Sequence, residues 1–241
     1  MIKSFYRKVM HREEFQPGWA GIVLTSCFLF RRGLARAVRR HAPKFSGVMV
    51  DFGCGRKPYK DFFSVQEYIG VDVEMSGHSH HDEEIDVFYD GHVIPLPDAS
   101  VDNILCSEVF EHIFNLPEIL RELHRILKPG GLMLITCPFC WNEHEVPFDY
   151  ARYTRFALRH LLERAGFQIL TEEKQGHFIH ALAQMGLVYA QEHLRPRLPI
   201  PRKLIGFGWN SLFNMLGLLL GAVLPKRWDF YLANVVLAKK V

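Results

Sequence analysis

Val48-Met-Val-Asp51-Phe-Gly53-Cys-Gly55-Arg-Lys-Pro58-Tyr59 is the stretch on which the reading of this chain turns. A short apolar run of strand length, 48–52, passes directly into two glycines. Glycines after a first buried strand let the backbone turn tightly and approach a ligand at the strand's carboxyl end. Nineteen residues after Gly53, closing the next apolar run, stands Asp72. An acid there can accept hydrogen bonds from both hydroxyls of a ribose. So far this describes any nucleoside-binding sheet.

Outward from that turn, short apolar runs alternate with helical stretches. Residues 48–52, 68–73, 85–89, 104–107, 132–137, 168–173 and 232–239 read as strands, seven in all. Residues 116–127 place Leu116, Ile119, Leu120, Leu123, Ile126 and Leu127 on one helical face, ended by Lys128-Pro129-Gly130-Gly131. Residues 154–165 form a second amphipathic helix, with Thr154 as N-cap and Gly166 as stop. This alternation argues for an α/β fold: a Rossmann-like, mostly parallel seven-stranded sheet with helices on both faces. The expected organisation is a basic helical extension over 1–45, a core over 46–175, an apolar helical insertion over 176–229, and a final strand of the core sheet within 230–241.

The net charge of +3 hides an asymmetry. Residues 1–47 carry ten Lys/Arg against two Glu, and residues 195–227 carry six Lys/Arg and no acid, so the remainder is acidic. Arg31, Arg32, Arg36, Arg39 and Arg40 interleave with Leu34, Ala35, Ala37 and Val38 as in an amphipathic surface helix. Five cysteines at irregular spacing make no disulfide framework, which points to a reducing compartment. The apolar run 19–30 ends at Arg31-Arg32 without a small-residue cleavage site, so no signal peptide and a cytoplasmic location are expected.

Two residues narrow the ligand. A G-x-G-x-x-G fingerprint needs glycine at 58, where this chain has Pro58. Asp51 would leave a pyrophosphate facing an uncompensated carboxylate, whereas it favours an ammonium or sulfonium. A ligand with a ribose and a positive charge is S-adenosylmethionine. A nicotinamide-dependent oxidoreductase is the competing enzyme, and a non-catalytic nucleoside-binding protein the competing class. Asp51-Phe-Gly-Cys-Gly55, Ile69-Gly-Val-Asp72, Asp90-Gly91 followed by Ile94-Pro-Leu-Pro-Asp-Ala-Ser-Val-Asp102, Ser107-Glu-Val-Phe-Glu111-His112 and Leu123-His-Arg-Ile-Leu-Lys-Pro-Gly-Gly131 follow one another in register. Together they resemble the class I S-adenosylmethionine-dependent methyltransferase family, in its small-molecule branch, over residues 48–175. The resemblance implies Asp51, Gly53, Cys54 and Gly55 around the methionine portion, Asp72 with Val73 at the ribose, Asp90 with Gly91 near the adenine, and Ser107 beside the cofactor. Members of that family usually carry a third glycine where this chain has Lys57. The loop is therefore expected to be stiffer, with Pro58 opening the next helix.

Methyl transfer needs alignment and, for many acceptors, a base. The segment 137–154 gathers acids, a histidine, an arginine and aromatics, and its His144, Pro147, Asp149-Tyr150 and Arg152-Tyr153-Thr154 resemble a branch associated with bacterial cell-surface sugar and lipid metabolism. The expected roles are His144 as base, Asp149 orienting it, and Arg152 holding an anionic or polar acceptor, the acceptor being a small molecule, a saccharide or lipid-linked. An Asp149–Arg152 ion pair that only stabilises the loop is the alternative. Glu111-His112 reads as a helix-start pair or as a catalytic dyad. Cys137-x-x-Cys140 with His144 supplies too few ligands for a metal, so none is expected. His78, His80 and His81 read as a solvated surface. No Asn/Asp-Pro-Pro-Tyr/Phe signature follows the fourth strand, which argues against nucleic acid as partner. Residues 204–224 contain no charge and are flanked by Arg202-Lys203 and Lys226-Arg227. Length allows a membrane span, but Asn210, Ser211 and Asn214 dilute the run, and a span would strand the final β-strand across the bilayer. Attachment to the anionic inner face of a membrane, a lid over the acceptor, and a homodimer contact are the open readings.

Overall fold

The apolar runs of the sequence become the strands of one sheet in a computed structural model of the chain, which describes residues 12–74, 83–194 and 201–241. Helix α1 (Phe28–His41) precedes β1 (Val48–Phe52), β2 (Glu67–Val73), β3 (Val87–Tyr89) and β4 (Val101–Ser107). Helix α2 (Leu116–Ile126) leads into β5 (Leu127–Pro138), and α3 (Arg155–Arg164) into β6 (Phe167–Gln175). Helices α4 (Phe178–Tyr189) and α5 (Arg202–Val223) then precede β7 (Ala233–Lys240). The strand order is β3-β2-β1-β4-β5-β7-β6. β1 pairs in parallel with β2 and β4, β2 with β3, and β4 with β5. Backbone hydrogen bonds join Leu232 to Gln175 and Val241 to Gly166, the start of β7 to the end of β6 and the reverse. The last strand therefore runs antiparallel to β6. The order reverses between β1 and β4, and ligands of open α/β sheets bind at the carboxyl ends beside such a switch point.

The expected alternation of strand and helix is incomplete among the described residues. Pro58 opens no α-helix; a single 3-10 turn, Lys60–Phe62, is the helical structure between β1 and β2. The cause is local. Lys57 lies in the left-handed region at φ +49°, and a residue before proline is biased away from the helical region in any case. Aromatic side chains occupy the crossover instead: Phe63 packs on Phe45 and Tyr68 at 5.4 and 6.2 Å, and the Arg39 guanidinium lies 4.4 Å over Phe62. A second difference concerns β5. It starts at Leu127, so Lys128-Pro129-Gly130-Gly131 lies within the strand, across a register shift opposite Val101 and Asn103. A Cβ on Gly131 would stand 2.8 Å from the Asp102 carbonyl oxygen, so this close crossing of two strands needs glycine.

α2 buries Leu116, Ile119, Leu120, Leu123 and Ile126, the face read from its periodicity. Thr154 Oγ1 accepts the Ala157 N–H at 3.2 Å and so caps α3. The chain forms two compact units. The sheet-bearing unit comprises Ala37–Phe139, Glu143–Glu173 and Asn234–Val241; the helical unit comprises residues 12–36, Cys140–Asn142 and Lys174–Ala233. In the helical unit, α5 is docked through amides. Asn210 Nδ2 donates to the Val23 carbonyl at 2.9 Å, and Asn214 Nδ2 to those of Ile22 and Thr25 at 3.0 and 3.1 Å. Leu204, Met215, Leu219 and Val223 are exposed along the same helix. The segment Lys203–Val223, of mean hydropathy 1.4, is long and apolar enough to cross a membrane by length and composition, and 33% of its most apolar window is buried.

Candidate active site

All the residues of the candidate site belong to the sheet-bearing unit. Asp51 stands next to last in β1, paired across the sheet with Gly70 and Leu105, and is 3% exposed. Tyr68 Oη donates to its Oδ2 at 2.6 Å. Burial pushes the Asp51 carboxyl up to about 7; Tyr68 opposes the shift, Asp72 adds to it, and Lys57 opposes it. A buried carboxylate this poorly compensated is suited to a cationic ligand. Gly53 follows at φ +69°, and a Cβ there would stand 2.4 Å from Val109 Cγ2. Asp72 accepts the Gly55 N–H at 2.9 Å through one oxygen and the Val73 N–H at 2.8 Å through the other. These two backbone bonds orient the Asp72 carboxylate at the end of β2. Cys54 is buried in the turn, and burial with neighbouring Asp51 and Asp72 pushes its thiol up, so it stays neutral.

Lys57, where a third glycine was expected, reaches back to Asp86 at 2.6 Å. Asp86 also accepts the Gly70 N–H at 2.6 Å. The ammonium passes so near β2 that a Cβ on Gly70 would stand 2.3 Å from Lys57 Cε. At the end of β3, Asp90 Oδ1 accepts the N–H groups of His92 and Val93, both at 2.8 Å, which hold its carboxyl below the usual range. Gly91 adopts φ +87° beside open space. Ser107, last in β4, has its Oγ 2.9 Å from Thr136 Oγ1. Asp51, Gly53, Cys54, Gly55, Asp72, Val73, Asp90, Gly91 and Ser107 thus all lie at or just beyond the carboxyl ends of β1–β4. Asp90 and Asp72 are already engaged by backbone donors there. His78, His80 and His81 lie outside the described residues.

On the acceptor side, the loop after β5 folds around Asp149. Arg152 grips both its oxygens, at 2.5 and 2.7 Å, and the His144 N–H adds a bond at 3.0 Å. Burial alone would raise the Asp149 carboxyl, but Arg152 and His144 hold it at about 2. His144 Nδ1 lies 3.3 Å from the same carboxylate. Arg152, expected to hold the acceptor, has its planar fork committed to Asp149 instead, a match of geometry that guanidinium and carboxylate favour. The backbone N–H groups of Tyr150 and Ala151 bond to the Glu111 carbonyl at 2.8 and 3.2 Å, which docks this loop on the turn after β4.

That docking brings in residues the sequence reading left open. Glu111 and His112 sit on one 3-10 turn, Phe110–His112. His112 Nδ1 lies 2.9 Å from the Phe148 carbonyl, which can only accept, so Nδ1 carries the proton. Its ring stands edge-on to that of His144, centroids 4.7 Å apart. Glu111 is fully buried, and burial with neighbouring Glu108 raises its carboxyl well above the ordinary range. Cys137 Sγ, buried in β5, lies 4.0 Å from Glu111 Oε2. Glu111-His112 was visible in the sequence, but nothing local announced that His144, thirty-two residues on, would join it.

A Rossmann-like sheet with a glycine turn, a buried carboxylate and a ribose-type acid defines a nucleoside-binding α/β protein. A family profile described as a methyltransferase domain matches residues 28–172. The chain therefore belongs to the class I S-adenosylmethionine-dependent methyltransferase family, with S-adenosylmethionine as its cofactor. A Mycolicibacterium smegmatis protein named as a probable S-adenosylmethionine-dependent methyltransferase is 29% identical over 133 residues, covering 50% of this chain and 52% of that one. The ubiquinone/menaquinone biosynthesis C-methyltransferase of Rubrivivax gelatinosus is 40% identical over 121 residues, covering 46% and 47%. The chain thus spans about half the length of these relatives. A solved S-adenosylmethionine-dependent methyltransferase from Archaeoglobus fulgidus superposes with a TM-score of 0.53 at 20% identity, covering 86% of this chain and 93% of that one, and shows the shared fold.

Proposed function

We infer that this chain transfers a methyl group to an oxygen or nitrogen of a small-molecule, saccharide or lipid-linked acceptor. The observation that carries the reading is the pairing of Asp51 with Asp72 at the glycine turn: a buried carboxylate suited to a cation, one strand away from an acid oriented for ribose hydroxyls. S-adenosylmethionine supplies an activated methyl on a sulfonium, which departs as a neutral thioether when the carbon–sulfur pair returns to sulfur. Asp51 and the turn hold the methionine end, Asp72 and Val73 the ribose, Asp90 and Gly91 the adenine side, and Ser107 borders the cofactor. The acceptor gives its proton to a base while its lone pair forms the new bond to carbon. His144, oriented by Asp149, is the imidazole placed for that proton, and Arg152 keeps Asp149 anionic.

The exposed apolar side chains of α5, with Lys203, Lys226 and Arg227 at its ends, support a lipid-linked acceptor met at an anionic membrane surface. Calorimetric titration with S-adenosylmethionine, followed by transfer of labelled methyl across glycolipid, saccharide and small phenol or amine acceptors, tests the reading. Binding without transfer to any acceptor would favour a non-catalytic nucleoside-binding protein. Preference for a nicotinamide dinucleotide would overturn the donor assignment.

A further inference from the structure

Glu111, His112 and His144 each present one ligand atom, and these three atoms lie within 4.8 Å of one another. Three independent features of the packing point the same way. Glu111 Oε1 is buried and has no hydrogen-bond partner among the described residues. A buried carboxyl in that state costs free energy unless a positive partner is supplied. His112 Nδ1 lies 2.9 Å from the Phe148 carbonyl, which leaves its Nε2 turned to the acids, 3.8 Å from Glu111 Oε1 and 3.9 Å from Glu145 Oε2. His144 is turned with Nδ1 toward Asp149, which is itself anchored by Arg152. An imidazole whose far nitrogen is held by a carboxylate or a carbonyl is the usual second layer of a metal site, because it fixes the tautomer and raises the basicity of the ligating nitrogen. Here His112 has it from the Phe148 carbonyl, while His144 Nδ1 lies 3.3 Å from an Asp149 oxygen and 3.5 Å from an Arg152 guanidinium nitrogen.

We propose that Glu111, His112 and His144 bind a divalent transition cation of the zinc class. Two imidazoles and one carboxylate make a nitrogen–oxygen donor set that suits such ions, and three protein ligands leave a position open, as in catalytic rather than structural sites. Ligand atoms about 2.1 Å from a tetrahedral ion stand about 3.4 Å apart, so the cluster must contract by about 1 Å to close on it. The cation's use rests on the methyl-transfer reading: with the ion bound, His144 would be a ligand, and the positive charge rather than the imidazole would acidify an acceptor hydroxyl that reaches the open position, its proton passing to solvent as the oxygen lone pair takes the methyl.

The test uses the full chain, freed of metal by chelation and titrated with Zn2+ by calorimetry and with Co2+ by visible absorption. One Zn2+ per chain and a Co2+ d–d band are expected. Both are lost in Glu111→Gln and in His112→Ala, and Asp149→Asn weakens binding about 10–100-fold. His180→Ala, in α4, where the His180 ring lies 4.0 Å from that of His177, leaves stoichiometry and spectrum unchanged. Retained S-adenosylmethionine binding in each variant shows that it has folded. No band, or a band that persists in Glu111→Gln and falls in His180→Ala, overturns the proposal. The two readings fail separately. Methyl transfer that continues at full rate under chelation, without Zn2+ binding, removes the cation and keeps the methyltransferase. Zn2+ binding without S-adenosylmethionine binding does the reverse.

Discussion

The sheet-bearing unit and the helical unit both bury amides that bond to backbone, such as Asn103 and Asn234 in the sheet-bearing unit, but they differ in buried charge. Among the described residues, Asp51, Lys57, Asp72 and Glu111 are the buried side chains of charged type, and all four belong to the sheet-bearing unit. The helical unit buries His177, Gln184, Asn210 and Asn214. Its three amides are spent on backbone: Gln184 Nε2 donates to the Ser26 carbonyl at 2.6 Å, and Asn210 and Asn214 reach Val23, Ile22 and Thr25. Neutral amides that complete an irregular backbone are a solution to folding. Carboxyl groups held in a low dielectric with partial compensation work against stability and mark sites where a ligand completes the electrostatics.

If that contrast is right, the two units respond to substitution in different observables. Asp51→Asn should weaken S-adenosylmethionine binding by 1.5–3 kcal/mol, about 10–150-fold, with little loss of melting temperature. Equal affinity in calorimetry would remove Asp51 from the cofactor site. Asn214→Ala should do the opposite. It strips two partly buried carbonyls of their donor and costs about 1 kcal/mol in chemical denaturation, with cofactor affinity unchanged in the folded fraction.

The third expectation concerns pH. Because burial raises Asp51 to about 7, the folded chain between about pH 4 and 7 holds a proton that the unfolded chain has released. The contribution of this group to stability therefore falls as pH rises through that window and is level above it. A cationic ligand favours the ionised form, so S-adenosylmethionine affinity should rise about tenfold from pH 6 to pH 8 in wild type and stay flat in Asp51→Asn. The smallest effect belongs to the apolar stripe. Leu219→Gln should shift stability by no more than about 0.5 kcal/mol while reducing retention on anionic liposomes. Unchanged retention would count against a membrane surface.

Where a local cause dominates, the sequence could be read directly. β1 and its glycine turn, the buried face of α2 and the Thr154 cap follow from periodicity, backbone geometry and a single hydroxyl. Where the cause is tertiary, it could not. Pro58 looked like a helix start because the left-handed Lys57 and the aromatic packing on Phe63 are invisible in a local window. Gly130-Gly131 read as the stop of a helix, and the strand it also begins was missed because the close passage of the Asp102 carbonyl at Gly131 lies on another strand. In the site, Asp51 and Asp72 were legible from their place after strands, but Tyr68 was not, because register with β1 is what sets its hydroxyl against Asp51. The Asp149–Arg152 pair, three residues apart in one loop, stood among the readings of the sequence, whereas the meeting of His112 with His144 depends on how one loop docks on another.

The ion pair between Lys57 and Asp86 has a consequence for the thermodynamics of cofactor capture. It tethers the turn after β1 to the segment before β3, while Asp72 pins Gly55 from a third direction. A recognition loop cross-braced in this way has surrendered most of its conformational freedom before any ligand arrives. Association should therefore carry a small entropic penalty and little rearrangement of the turn, and Lys57→Gly should show its effect as a less favourable binding entropy at nearly constant enthalpy.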